Sequence, residues 1–169
     1  SENYNNLETI INSCLDAQYA MNLDNEVKFM KTHSACWKTD KSSFTNYENT
    51  LGVIHIVRDP RNVITSLKNH YRKANLENTL EFMMDKKKFI SHKNFKEEFD
   101  TPALISSWSN HYKSWSKFNK NYLLVKYENL LENPKIEFLK IVEYLKKITD
   151  FKFDGDLDKI INDCSFDNL

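Results

Sequence analysis

Apolar residues recur along this chain in two patterns, one typical of helices and the other typical of buried strands. The first helical pattern consists of Leu7, Ile10, Ile11, Cys14 and Leu15, which share one face at a period of about 3.6 residues. Short runs rich in β-branched residues follow, bounded by polar or turn-forming residues. The succession predicts strands that are separated by helices.

The predicted strands are Glu26–His33, Gly52–Val57 and the run "NYLLVKYENL" at residues 121–130. The predicted helices after the first are one entered at Asp59-Pro60, the stretches Leu76–Ile90 and Pro102–Phe118, one opened by Asn133-Pro134, and Leu157–Asp163. Proline suits the first position of a helix, where no N–H is needed.

Strands that are joined through helices predict parallel pairing with right-handed crossovers. We therefore predict an α/β fold, a three-layer sandwich with a parallel sheet, and assign residues 1–169 to a single domain. In such sheets the ligand binds at the carboxyl ends of the strands.

Each predicted strand delivers polar residues to that edge. The first ends in Lys31, Thr32 and His33, the second is followed by Arg58, and the third ends in Lys126, Tyr127 and Glu128. Together these side chains predict a cationic and aromatic pocket that contains a possible proton acceptor.

Composition narrows the function classes. Lys+Arg and Asp+Glu both number 24, so a basic site must be local, which argues against nucleic acid as a partner. The three cysteines, at positions 14, 36 and 164, lack metal-ligand spacing, so we expect reduced thiols, no metal and a cytoplasmic location. The sequence contains no run of about 18 apolar residues, so it predicts no membrane-spanning segment.

Four motifs, in order, resemble those of sulfotransferases that use 3′-phosphoadenosine-5′-phosphosulfate (PAPS). They are "FMKTH", "VIHIVRDPRNVITSLKNHY", "VKYENLLENPKIEFLKIVEYL" and "CSFDNL". The resemblance implies a P-loop NTPase-like sulfotransferase fold and transfer of a sulfuryl group from PAPS to the hydroxyl or amine of a small-molecule or carbohydrate acceptor.

The resemblance also assigns residues to roles. Arg58 and Ser66 keep the eight-residue spacing of the family's 3′-phosphate ligands. His33 takes the place of the catalytic base. Because side chains alternate along a strand, the predicted strand puts Lys31 on the same face as His33, where its ammonium can stabilise charge on the transferring group. Ser165 and Phe166 match the family's segment that packs against adenine. Tyr127 could be a structural residue of the sheet, but its place at the strand end also allows a contact to adenine.

The family's N-terminal 5′-phosphosulfate loop and its C-terminal Gly-rich segment have no match here, so the sequence is interpreted as an incomplete sulfotransferase domain. Without the strand that carries the loop, we expect the chain to self-associate through an unpaired strand edge.

Other interpretations stay open at this point. Arg58 could pair with a surface carboxylate, His33 could be a structural histidine and Phe166 could cover the core. A P-loop-type small-molecule kinase would need Mg²⁺ ligands and a Walker-type lysine, neither of which the sequence shows. A non-catalytic nucleotide-binding domain of the same fold is the third candidate.

Overall fold

The computed structural model of the chain describes residues 7–70, 75–90, 103–118 and 121–165. The elements in chain order are α1 Leu7–Met21, β1 Val53–Val57, α2 Pro60–His70, α3 Leu76–Met84, β2 Phe89–Ile90, β3 Ala103–Leu104, α4 Trp108–Ser116, β4 Tyr122–Lys126, α5 Tyr127–Glu132, α6 Pro134–Ile148 and α7 Leu157–Asp163. The predicted α/β class is confirmed, because these helices accompany a parallel pair of strands.

The chain divides into two compact units that do not follow chain order. The first comprises Ser1–Leu51 and Pro60–Asn119, and the second comprises Gly52–Asp59 and Lys120–Leu169. The polypeptide therefore passes from the first unit to the second at the start of β1 and returns at the start of α2.

The second unit is built on the parallel pair β1–β4. Val53 lies opposite Tyr122 at one end of the pair and Val57 lies opposite Lys126 at the other. Helices α5 and α6 pack on each other, and α6 also contacts β4 and α7. Val125 and Val142 supply its buried apolar core, as the β-branched strand runs predict.

The first unit contains α1, α2, α3, α4 and the antiparallel pair β2–β3, in which Phe89 lies opposite Leu104. Its buried apolar side chains are Ala35, Met83, Trp115 and Phe118. Trp115 packs edge-on against Phe44, with ring centroids 5.8 Å apart, an arrangement that aromatic pairs favour.

The predicted strand Glu26–His33 is wrong. Residues 26–33 carry no regular secondary structure and are exposed, with Phe29 at 65% and Met30 at 70%. A strand needs a neighbouring strand to complete its hydrogen bonds, and neither of the described sheets includes these residues.

Two predicted helices have different bounds. Helix α3 ends at Met84, because Asp85 takes an extended backbone with ψ of 109°, and the chain then forms β2. In the stretch predicted as one helix from 102 to 118, β3 comes first and Ser106 has a φ of 60°. Ser107 then caps α4 by accepting a hydrogen bond from the Asn110 N–H, as serine at this position commonly does.

Candidate active site

Arg58 and Tyr127 meet at the carboxyl edge of the parallel pair. The register places Val57 opposite Lys126, so the residues that follow the two strands leave the sheet side by side. The Arg58 guanidinium carbon lies 4.8 Å from the centre of the Tyr127 ring, within the range of a cation–π contact. The predicted meeting of polar residues from these two strands is confirmed.

The Arg58 guanidinium has an unmet hydrogen-bonding requirement. Its Nε atom is buried and has no hydrogen-bond partner among the residues that the structure describes. Buried donors in folded proteins are nearly always paired, and guanidinium N–H groups match the geometry of phosphate oxygens. An anionic group such as a phosphate therefore fits this donor.

Glu128 holds the turn that follows Arg58. The backbone N–H of Asp59 donates a hydrogen bond to Oε1 of Glu128, at 2.8 Å. Glu128 lies in the first turn of α5, immediately after the β4 strand, so α5 fixes the point at which the chain leaves β1. The sequence predicts Glu128 at this edge, but no pattern in it indicates the hydrogen bond to Asp59.

The other predicted nucleotide ligands lie on separate elements. Ser66 is an exposed residue of α2, eight positions after Arg58. Ser165 follows α7, where its backbone N–H donates to the carbonyl of Asn162 at 3.1 Å. Phe166 lies outside the described residues, so its place near adenine stays a prediction.

Lys31 and His33 are both exposed and lie on the irregular segment of the first unit. They do not lie on a strand, so the prediction that strand alternation brings their side chains to one face is wrong. Thr32, between them, accepts a hydrogen bond from the Ser34 N–H at 3.0 Å. The segment becomes buried directly after His33, at Ser34 and Ala35.

Helix α4 holds the segment that begins at His33. Nε2 of His111 lies 3.3 Å from the His33 carbonyl oxygen, and the Trp115 indole N–H donates to the Ser34 carbonyl at 3.0 Å. The Cys36 N–H donates to Oγ of Ser114 at 2.9 Å. His111 belongs to no sequence motif. Its spacing from Ser114 and Trp115, three and four residues, is the signal that places all three on one helix face.

Burial lowers the pKa of His111 from its ordinary value. The positive charge of His33 lowers the pKa of His111 further, while the hydrogen bond to the His33 carbonyl raises it. Burial is the dominant cause, since removing an imidazolium from water disfavours the charged form. His111 is therefore biased toward its neutral form.

Within the described residues, no group of three or more His, Cys, Asp or Glu side chains is placed to hold a metal ion. The same part of the chain contains no helix long and apolar enough to cross a membrane.

The chain belongs to the sulfotransferase domain family, whose family model matches residues 2–169. The chain is 33% identical over 145 residues to Sulfotransferase 1B1 from Canis lupus familiaris, covering 84% of this chain and 44% of the relative. It is 27% identical over 146 residues to Sulfotransferase 1 family member D1 from Mus musculus, covering 83% of this chain and 45% of the relative. The resemblance stated from the four motifs is confirmed.

A solved structure supports the same fold. The crystal structure of mouse sulfotransferase SULT7A1 complexed with PAP superimposes with a TM-score of 0.50 at 23% identity, over 69% of this chain and 39% of that protein. The present chain thus spans less than half the length of the relatives that it matches.

Proposed function

We propose that the protein carrying this chain is a sulfotransferase that moves a sulfuryl group from PAPS to a hydroxyl or amine of a small-molecule acceptor, with carbohydrates among the candidates. The observation that carries the proposal is the buried Arg58 Nε without a described partner, beside Tyr127 at the carboxyl edge of β1 and β4. A phosphate would complete that donor's hydrogen bonding.

On the donor side, we assign Arg58 and Ser66 to the 3′-phosphate and Tyr127, Ser165 and Phe166 to the surroundings of adenine. PAPS supplies the sulfuryl group. The bond between its sulfur and the oxygen of the 5′-phosphate breaks as the sulfur bonds to the acceptor, and that oxygen stays with the nucleotide. The mouse structure was solved with PAP, the nucleotide that remains after such a transfer. A 3′-phosphate distinguishes this donor from ATP.

On the acceptor side, His33 accepts the proton of the attacking hydroxyl or amine. Histidine is the side chain that most often serves as a general base in enzymes. The Lys31 ammonium stabilises negative charge on the transferring group. Both side chains are exposed, so an acceptor can reach them.

We further propose a cytoplasmic location, one sulfotransferase domain over residues 1–169, and self-association of the isolated chain. The three cysteines are odd in number and have no metal-ligand spacing, which favours reduced thiols in such a location.

The test is a transfer assay with ³⁵S-labelled PAPS and a panel of alcohols, phenols, amines and sugars, using the full-length protein. Label should move to at least one acceptor class, and the matching assay with γ-³²P-ATP and Mg²⁺ should move none. Transfer of ³²P alone would favour the kinase. Tight PAP binding without transfer to any acceptor would favour a non-catalytic nucleotide-binding domain.

A further inference from the structure

Helix α4 contacts the backbone of the segment from His33 to Cys36 at three points, and Leu104 of β3 accepts hydrogen bonds from Ser34 and Ala35 of the same segment. The three contacts from α4 reach the carbonyl of His33, the carbonyl of Ser34 and the N–H of Cys36. Of these three contact points, the His33 carbonyl lies furthest toward the N-terminus. It belongs to the residue whose imidazole the proposed function uses as a base.

We propose that His111 is a positioning residue for His33: its Nε2–H donates to the His33 carbonyl and fixes the place from which the His33 imidazole takes the acceptor's proton. The inference rests on the proposed function. His111 acts through the backbone and is not proposed to touch the acceptor or PAPS.

The partner atoms determine the tautomer of His111. A carbonyl oxygen can only accept, so Nε2 of His111 must carry the proton when the hydrogen bond is formed. Burial keeps His111 biased toward its neutral form, which then carries its single proton on Nε2. A neutral donor holds the carbonyl without adding a second positive charge beside a base that must itself become charged.

His111 is more closely tied to the base than its helical neighbours are. Trp115 is 6% exposed and packs against Phe44 and Phe118, so its loss would damage the core of the first unit. Ser114 Oγ also donates to the His111 carbonyl at 2.7 Å and so serves the helix itself. The His111 contact therefore offers a way to perturb His33 while the core stays intact.

The kinetic test compares His111→Phe, which removes the donor, with His111→Gln, whose amide N–H can replace it. Lys113→Ala is the control, since Lys113 is an exposed residue of the same helix. His111→Phe should lower kcat roughly 10–10²-fold, the cost of a small misplacement of a reacting group. The KM for PAPS and the Kd for PAP should change less than about twofold, while His111→Gln should recover most of kcat and Lys113→Ala should keep all of it.

Several results would overturn the inference. One is unchanged kcat in folded His111→Phe, and another is a His111→Gln protein that is no better than His111→Phe. A His33→Ala variant distinguishes failure of the proposed function from failure of this inference. Full turnover in His33→Ala would rule out both His33 as the base and His111 as its positioning residue. Lost turnover in His33→Ala together with full turnover in His111→Phe would rule out only the positioning role.

A second measurement does not depend on variant folding. In ¹⁵N-histidine NMR of the wild-type protein at neutral pH, the His111 resonance should show the Nε2–H tautomer. The Nδ1–H tautomer would contradict the hydrogen bond and overturn the inference.

Discussion

A buried guanidinium N–H without a partner is costly unless a ligand completes it. Leaving a buried donor unpaired costs about 1–3 kcal/mol, and Arg58 retains such a donor within the described part of the chain. The Tyr127 ring covers the guanidinium but cannot replace a linear acceptor. An anionic ligand would complete this donor, and the position of the guanidinium depends on the residues around it.

Glu128 should fix the position of Arg58 through its hydrogen bond with the backbone N–H of Asp59. We expect Glu128→Ala to weaken PAP binding about five- to tenfold and to lower the free energy of unfolding by about 1–3 kcal/mol, because the backbone donor next to Arg58 loses its acceptor. Glu128→Gln keeps an acceptor oxygen and should lose less of both. Calorimetry and urea unfolding measure the two quantities, and equal losses in the two variants would contradict the role of the hydrogen bond.

His111 should make stability depend on pH in mildly acid solution. Its pKa in the folded protein lies below its ordinary value of 6.5, so between the two values the unfolded chain binds more protons and stability rises with pH. The contribution is fully present above about 6.5 and is lost as pH falls through the folded pKa. The charge of His33 acts in the same direction, because it also lowers the pKa of His111.

We therefore expect the Tm of the wild-type protein to fall between pH 7.5 and pH 5.5 by more than the Tm of His111→Gln. Scanning calorimetry at several pH values gives the comparison. Parallel Tm curves for the two proteins would show that His111 does not carry this dependence.

At the level of elements, Tyr144 of α6 is hydrogen-bonded to the first residue of β1. The Tyr144 hydroxyl accepts a hydrogen bond from the Val53 N–H at 2.9 Å and donates to the Asn121 carbonyl. Gly52 leaves the space for this contact, since a Cβ there would overlap the Tyr144 hydroxyl oxygen and lie 2.6 Å from Cδ1 of Ile148.

Gly52→Ala should therefore destabilise the protein by about 1–3 kcal/mol, the usual cost of overpacking. Gly155→Ala is the matched control, because a Cβ there meets no heavy atom closer than 3.3 Å, and it should cost clearly less. Urea unfolding at neutral pH compares the two. Similar losses from both substitutions would contradict the close packing of Tyr144 against Gly52.

The elements that the sequence predicts well are those with a complete local signal. Pro60 and Pro134 each stand at the first position of a helix, and the valine- and isoleucine-rich run of β1 predicts a strand wherever a partner lies beside it. Glu26–His33 failed because its pattern is local whereas strand pairing is not.

The contacts of the candidate site also divide into those that the sequence predicts and those that it does not. Arg58 follows β1 and Tyr127 follows β4, so the parallel register of the two strands brings the two residues together. The Glu128 bond to Asp59 and the His111 contact with His33 join residues that are 69 and 78 positions apart. No spacing rule predicts such pairs, because they depend on how separate elements pack.

At the level of the whole molecule, β1 and β4 form a two-stranded sheet within the described residues. Two strands alone are marginally stable, and open strand edges promote association. Ile56 of β1 is 55% exposed, which adds apolar surface to that pair.

We expect the isolated 169-residue chain to self-associate at micromolar concentrations. Sedimentation velocity should show species larger than 20.1 kDa that increase with concentration. A monodisperse monomer with a sharp cooperative melt would contradict this expectation.

Arg58 should recognise the 3′-phosphate of the sulfuryl donor, and nucleotide calorimetry on the full-length protein tests this role most directly. PAP and 5′-AMP are titrated into the wild type, Arg58→Ala and Lys68→Ala, an exposed control on α2. Arg58→Ala should weaken PAP binding at least about tenfold, since a hydrogen bond to a charged group contributes about 1.5–3 kcal/mol, while 5′-AMP binding changes less than about twofold and Lys68→Ala changes neither. Equal losses for PAP and 5′-AMP in Arg58→Ala would contradict the claim.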